Sequence, residues 1–174
     1  MSVYSEPPTD PKDECLAIVR CPQNKDLKVV ILSDRWIWLP THYDGKRTVI
    51  CNYDIDCRLC QSQVALWKGF AVVREFNGRR RALFVVTPNV VQSFREEFGL
   101  DANLSGVICR FYRAGRQVNS PLLVQFLGRS KTDVALCWKN TIKHVNRIFR
   151  SKCECFLIGN SESNEIPFVK SPPI

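Results

Sequence analysis

The chain lacks most of what a membrane-bound, secreted or catalytic protein carries. No apolar run approaches the roughly 20 residues that cross a bilayer. The first residues, MSVYSEPPTDPKDE, are proline-rich and acidic, unlike a signal peptide. Histidine is scarce, with only His42 and His144. No glycine-rich phosphate loop, nucleophile elbow or constellation of carboxylates is present. These absences argue against an enzyme, so no catalytic residue is assigned. They point to a protein of a reducing compartment with no membrane partner. No internal repeat is visible.

What is present suits one folded domain. The 174 residues are 45% apolar, enough for a real core and some peripheral elements. Nine cysteines is an odd number, and in a reducing compartment they read as metal ligands or buried thiols rather than disulfides. Net charge is +8, and the excess is localised. Residues 1–50 hold seven basic and seven acidic side chains, whereas residues 101–150 hold nine basic and two acidic. A surface of that sign attracts polyanions such as nucleic acid or anionic lipid, although a solvated basic face has the same composition.

Residues 1–13 read as a flexible arm, 14–158 as a single domain and 159–174 as a flexible tail. LAIVRC at 16–21 is extended, and DLKVVILSDRWIWLP at 26–40 reads as one or two strands. WKGFAVVREFNGRRRALFVVTP at 67–88 is the clearest hairpin. Asn77-Gly78 predicts a two-residue type I′ turn that sets Glu75 against Arg80 and Arg74 against Arg81. Like charges directly opposite are destabilising, and an anion between Arg74 and Arg81 would remove the repulsion. Thr87, Pro88 and Gly99 suit the cap, first turn and stop of a helix with Val90, Val91, Phe94 and Phe98 on its apolar face. Residues 106–128 read as two strands, with Val107, Cys109 and Phe111 sharing one face. Residues 132–150 read as a helix with Lys139, Lys143, Arg147 and Arg150 along one side. The expected class is mainly β (α+β), an OB-like partly open barrel with an insertion at 41–60 and two peripheral helices. An irregular α+β sandwich is the alternative.

The insertion, THYDGKRTVICNYDIDCRLC, carries the sharpest signal. Zinc prefers thiolate and imidazole in a tetrahedral shell. His42, Cys51 and the Cys57-x-x-Cys60 pair complete such a shell and leave no open position, which means one structural zinc ion rather than a catalytic one. A redox pair would sit between a strand and a helix in a βαβ unit, and that context is missing. Packing cysteines are the bland alternative. Cys109 and Cys137 read as buried thiols. Cys15, Cys21, Cys153 and Cys155 could form a second site, at poor spacing.

The order His42, Cys51, Cys57-x-x-Cys60, then WKGFAVVREF, RRRALFVV and a capped helix, resembles the core of the T-even phage single-stranded-DNA-binding (helix-destabilising) proteins. The resemblance spans about His42 to Phe98, roughly a third of the chain. It implies an OB-type fold, a structural zinc on those four residues, and sequence-tolerant single-strand binding in DNA replication, recombination or repair. It also implies the cytoplasm of a bacterial or phage-infected cell, with replication or recombination proteins as partners. The ligand spacings here are tighter than the family's, and the N-terminal arm is acidic. Glu162 to Phe168, ESNEIPF, is similar to the acidic tip of bacterial single-strand-binding proteins, with six residues following it.

A single-strand binder needs a cationic groove and aromatic faces on which bases stack. Trp36 and Trp38 share one strand face, which is either exposed for stacking or part of the core. Tyr112 with Arg110 is a second stacking pair. Arg74, Arg79, Arg81, Arg110, Arg113 and Arg116 are the phosphate candidates, followed by Lys139, Lys143, Arg147 and Arg150. The alternative function is a zinc-stabilised RNA- or duplex-DNA-binding or protein-interaction module without catalysis.

Overall fold

A computed structural model describes residues 16–51, 57–115, 117, 120–131 and 135–149. The expected arm and tail fall outside them, as do Arg116 and Arg150. The architecture is mainly β with two helices. In chain order the elements are β1 (Ala17–Val19), β2 (Leu27–Ile31), β3 (Ile37–Tyr43), β4 (Thr48–Ile50), β5 (Leu66–Glu75), β6 (Arg81–Val86), α1 (Pro88–Phe98), β7 (Val107–Arg113), β8 (Leu122–Arg129) and α2 (Trp138–Phe149).

All eight strands belong to one mixed sheet, whose path runs β1-β6-β5-β2-β7-β8. β1 joins β6 in parallel, and the other ladders are antiparallel. The sheet is open, with no ladder between β1 and β8 among the described residues. β5 pairs with β3 through Leu66–Phe70 and with β2 through Val73–Glu75. The chain breaks between β2 and β3, where Ser33 replaces a strand partner. Its hydroxyl accepts the Val72 N–H at 2.8 Å, and the Leu32 N–H donates to the Val72 carbonyl at 2.9 Å. The backbone groups at the break are thus satisfied without a regular ladder.

Both faces of the sheet are covered. Val29 and Ile31 of β2 join one core with Ala71, Val73, Phe84, Phe111 and the α1 residues Val90, Val91 and Phe94. Val30 and Leu32 join the other with Ile37, Leu39, Phe70, Val72 and the α2 residues Ile142 and Val145. Double coverage explains the near-continuous apolar runs of β2 and β5, because neither face needs polar residues.

α1 forms as its sequence predicts. Thr87 precedes it with an extended backbone, Pro88 takes the first position, and the Gly99 N–H closes on the Arg95 carbonyl at 2.9 Å. α2 is shorter than 132–150, because Leu136 is drawn into a parallel bridge with Ser33. The Leu136 N–H donates to the Leu32 carbonyl at 2.8 Å, and its own carbonyl accepts the Asp34 N–H at 2.9 Å. Cys137, beside it, is exposed rather than buried.

The hairpin register sets Arg74 opposite Arg81, as expected. The turn differs. The Gly78 N–H donates to the Glu75 carbonyl at 3.1 Å, so Phe76 and Asn77 are the central residues. Gly78 is not among the glycines with positive φ, which a type I′ turn at Asn77-Gly78 would require. Arg74 accounts for the change. Its Nη1 donates to the carbonyls of Glu75 at 3.0 Å, Phe76 at 3.4 Å and Gly78 at 2.9 Å.

Candidate metal centre and basic surface

His42 lies on β3, and Cys51 directly follows β4. β3 and β4 form a hairpin in which Thr41 faces Ile50 and His42 faces Val49. The Cys51 N–H donates to the Pro40 carbonyl at 2.9 Å, which extends the ladder and fixes Cys51 beside His42. A turn in which the Cys60 N–H donates to the Cys57 carbonyl at 3.0 Å brings the last two sulfurs round together.

One ligand atom from each of His42, Cys51, Cys57 and Cys60 lies within 4.8 Å of the others. The Cys51 sulfur is 3.3 Å from that of Cys60 and 3.8 Å from that of Cys57, and His42 Nε2 is 3.2 Å from the Cys60 sulfur. This cluster could hold a single metal ion. His42 and Cys51 are buried, and Cys57 and Cys60 are half-buried.

The electrostatics suit a cation. Burial lowers the pKa of His42, which favours the neutral imidazole that ligates. Burial, then hydrogen bonds and charges from Cys51 and Cys57, push Cys60 up to about 12. Burial also opposes ionisation of Cys57, but hydrogen bonds led by the Cys60 backbone and thiol outweigh it and lower its pKa. Three thiols in such proximity cannot all ionise without a positive charge between them. A second centre at Cys15, Cys21, Cys153 and Cys155 gains no support: Cys21 is buried with its thiol donating to the Phe111 carbonyl at 3.4 Å, and the other three lie outside the described residues.

The proposed aromatic platform is corrected. Trp36 and Trp38 are 8% and 6% exposed, so both belong to the core. Trp36 packs edge-on against Phe94, with ring centroids 5.2 Å apart at 80°. Ile37 and Leu39, on the opposite face of the strand, are buried as well. Tyr112 is half-buried, and the Arg110 guanidinium lies 5.9 Å from its ring centroid. Arg110 also forms an ion pair with Asp26, which partly neutralises it.

Of the other phosphate candidates, Arg74 is bonded to the hairpin carbonyls, and Arg113 Nη1 donates to the Ser120 carbonyl at 2.9 Å. Arg81 is half-buried at the start of β6, whereas Arg79 is exposed. Lys139, Lys143 and Arg147 are exposed along one side of α2, while Thr141, Ile142, His144 and Val145 are buried on the other. The stripe read from the sequence is therefore a real solvent face.

The fold also gathers two cations that sequence reading passed over. Arg20 Nη2 and Lys68 Nζ both donate to the Thr48 hydroxyl, at 3.2 and 3.3 Å. A lysine within the apolar run LWKGF was the available signal. The described residues contain no helix long and apolar enough to cross a membrane. Comparison with family models, curated proteins and solved structures gave no match.

Proposed function

We propose that this chain binds single-stranded nucleic acid with little sequence preference, DNA favoured, and uses zinc only to hold its fold. The carrying observation is the exposed basic face of α2, where Lys139, Lys143 and Arg147 succeed one another at helical spacing. Such a row tracks a phosphate backbone without reading bases. Arg79 on the hairpin and the Arg110–Tyr112 pair extend the cationic surface. With Trp36 and Trp38 in the core, backbone charge carries more of the affinity than stacking does.

Zinc is the metal proposed for the Cys₃His cluster. Bonds of about 2.3 Å to sulfur and 2.0–2.1 Å to nitrogen give tetrahedron edges of about 3.5–3.8 Å. Three of the six separations, at 3.2, 3.3 and 3.8 Å, approach those edges, and all lie within 4.8 Å. Four protein ligands would close the shell, so the reading assigns no catalysis.

The OB-like barrel is the finer form of the fold in this proposal, with the open sheet wrapped on α1 as its support. A role in replication, recombination or repair, with partner proteins of those processes and a cytoplasmic setting, belongs to the same proposal. The test is competition among oligo-dT, duplex DNA and single-stranded RNA at two salt concentrations. Preference for oligo-dT is expected. Preference for duplex or RNA would instead favour α2 as a docking helix for a double-stranded or RNA target, and would overturn the first reading.

A further inference from the structure

Arg20 just past β1, Lys68 of β5 and Arg113 of β7 line the same cleft. Its walls include Arg20, Lys68, Arg113, Thr87, Asn89 and Ser120, and its volume is about 340 Å³. No carboxylate among the described residues lines it. Asp26, whose charge is felt at Cys21 on the cleft wall, is ion-paired with Arg110. Arg20 and Lys68 converge on a single neutral acceptor, the Thr48 hydroxyl. Arg113 Nε is buried without a hydrogen-bond partner among the described residues. Arg20 and Lys68 repel each other, and the half-burial of Lys68 raises the cost of its charge. The strain is visible at Lys68, where burial, then the charge of Arg20, lowers the pKa.

The cleft also lies at the start of α1, since Thr87 and Asn89 are its cap and second residue. The positive end of that helix dipole adds to the side-chain charge. The Asn89 carboxamide donates to the Leu122 carbonyl at 2.8 Å, which holds the helix start against β8. The geometry is that of a preformed oxyanion seat, with cations on several walls and a helix N-terminus on another.

We propose that this cleft binds a phosphate group, and, resting on the single-strand reading above, that the group is a backbone phosphate of the bound nucleic acid. Arg20 and Lys68, held side by side by the shared Thr48 hydroxyl, would turn further N–H groups to phosphate oxygens, and Arg113 would complete the charge. Phosphate is preferred to a carboxylate because three converging cations match a tetrahedral anion with several acceptor oxygens.

Two measurements on the full chain separate the site from the nucleic-acid reading. The first is a titration with inorganic phosphate, against chloride at equal ionic strength, followed by amide NMR. Saturable shifts at Asn89 and Ser120 are expected, and their absence would overturn the site; this needs no variant. The second is oligo-dT affinity as a function of salt for the native chain and for Arg20→Ala/Lys68→Met, whose second change keeps an apolar stem in the half-buried position. If both cations meet phosphates, the slope of log affinity against log salt should shrink by about 1.4, at about 0.7 per contact on single strands. Phosphate shifts with an unchanged slope would keep the phosphate site and overturn its use by nucleic acid. Phosphate shifts without any oligo-dT binding would keep the site and overturn the single-strand reading instead.

Discussion

At the scale of single residues, burial gives Trp36 and Trp38 to packing, with Trp36 edge-on against Phe94. Trp36→Ala is therefore expected to cost about 3–5 kcal/mol of stability through the cavity beside Phe94. Urea denaturation measures it, and oligo-dT affinity of the folded protein should hold. Lost affinity at unchanged stability would return the indole to a stacking role. Neither indole could be assigned a face from sequence. Strand alternation separates inside from outside only when one face is wet, and here both faces are buried. His42, Cys51, Cys57 and Cys60 could be grouped from sequence because their side chains have few other uses in so polar a segment, and the fold places their ligand atoms together. Arg20 and Lys68 were illegible for another reason. Their proximity depends on β1 joining β6 in parallel while β6 pairs with β5, which no local pattern announces.

At the scale of elements, α1 was readable to its ends because its cap, first turn and stop are local backbone requirements. Gly99 shows why. Its φ of 87° and ψ of 170° fall in a region essentially reserved for glycine, and a Cβ there would meet nothing within 4 Å. Gly99→Ala is thus a purely conformational change, expected to cost about 1–3 kcal/mol and to lower the thermal midpoint without altering the fold by circular dichroism. The β5–β6 turn was misread because a side chain intervened. Asn77-Gly78 has a strong intrinsic preference, but the Arg74 guanidinium gathers three loop carbonyls and holds another turn. Arg74→Ala should destabilise the protein by about 1.5–3 kcal/mol, the range for hydrogen bonds to a charged group. Equal stability of native and variant proteins in a denaturant titration would show that the three bonds add nothing net. α2 was overextended at its start because Leu136 bridges to Ser33, a contact set by the break between β2 and β3.

At the scale of the molecule, the metal cluster and the sheet have separate sources of stability. The sheet carries two apolar cores of its own, whereas the turn at Cys57–Cys60 is half-buried and next to polar chain. Structural zinc in small peptides is worth about 10–16 kcal/mol at neutral pH, and such binding energy becomes folding energy. Elemental analysis should therefore find one metal ion per chain in the native protein and none in Cys57→Ser. Removing the ion with a chelator should leave amides of β2 and β7 protected from hydrogen exchange while those of β4 and residues 57–63 open. The effect should reach the basic cleft, because Thr48 of β4 is the shared acceptor for Arg20 and Lys68. When β4 loosens, those cations lose their common anchor, and oligo-dT affinity should fall although Lys139 and Lys143 remain in place on α2. A chelated protein that keeps full affinity, with β4 still protected, would show that the hairpin stands without metal and that the ion adds no folding energy there.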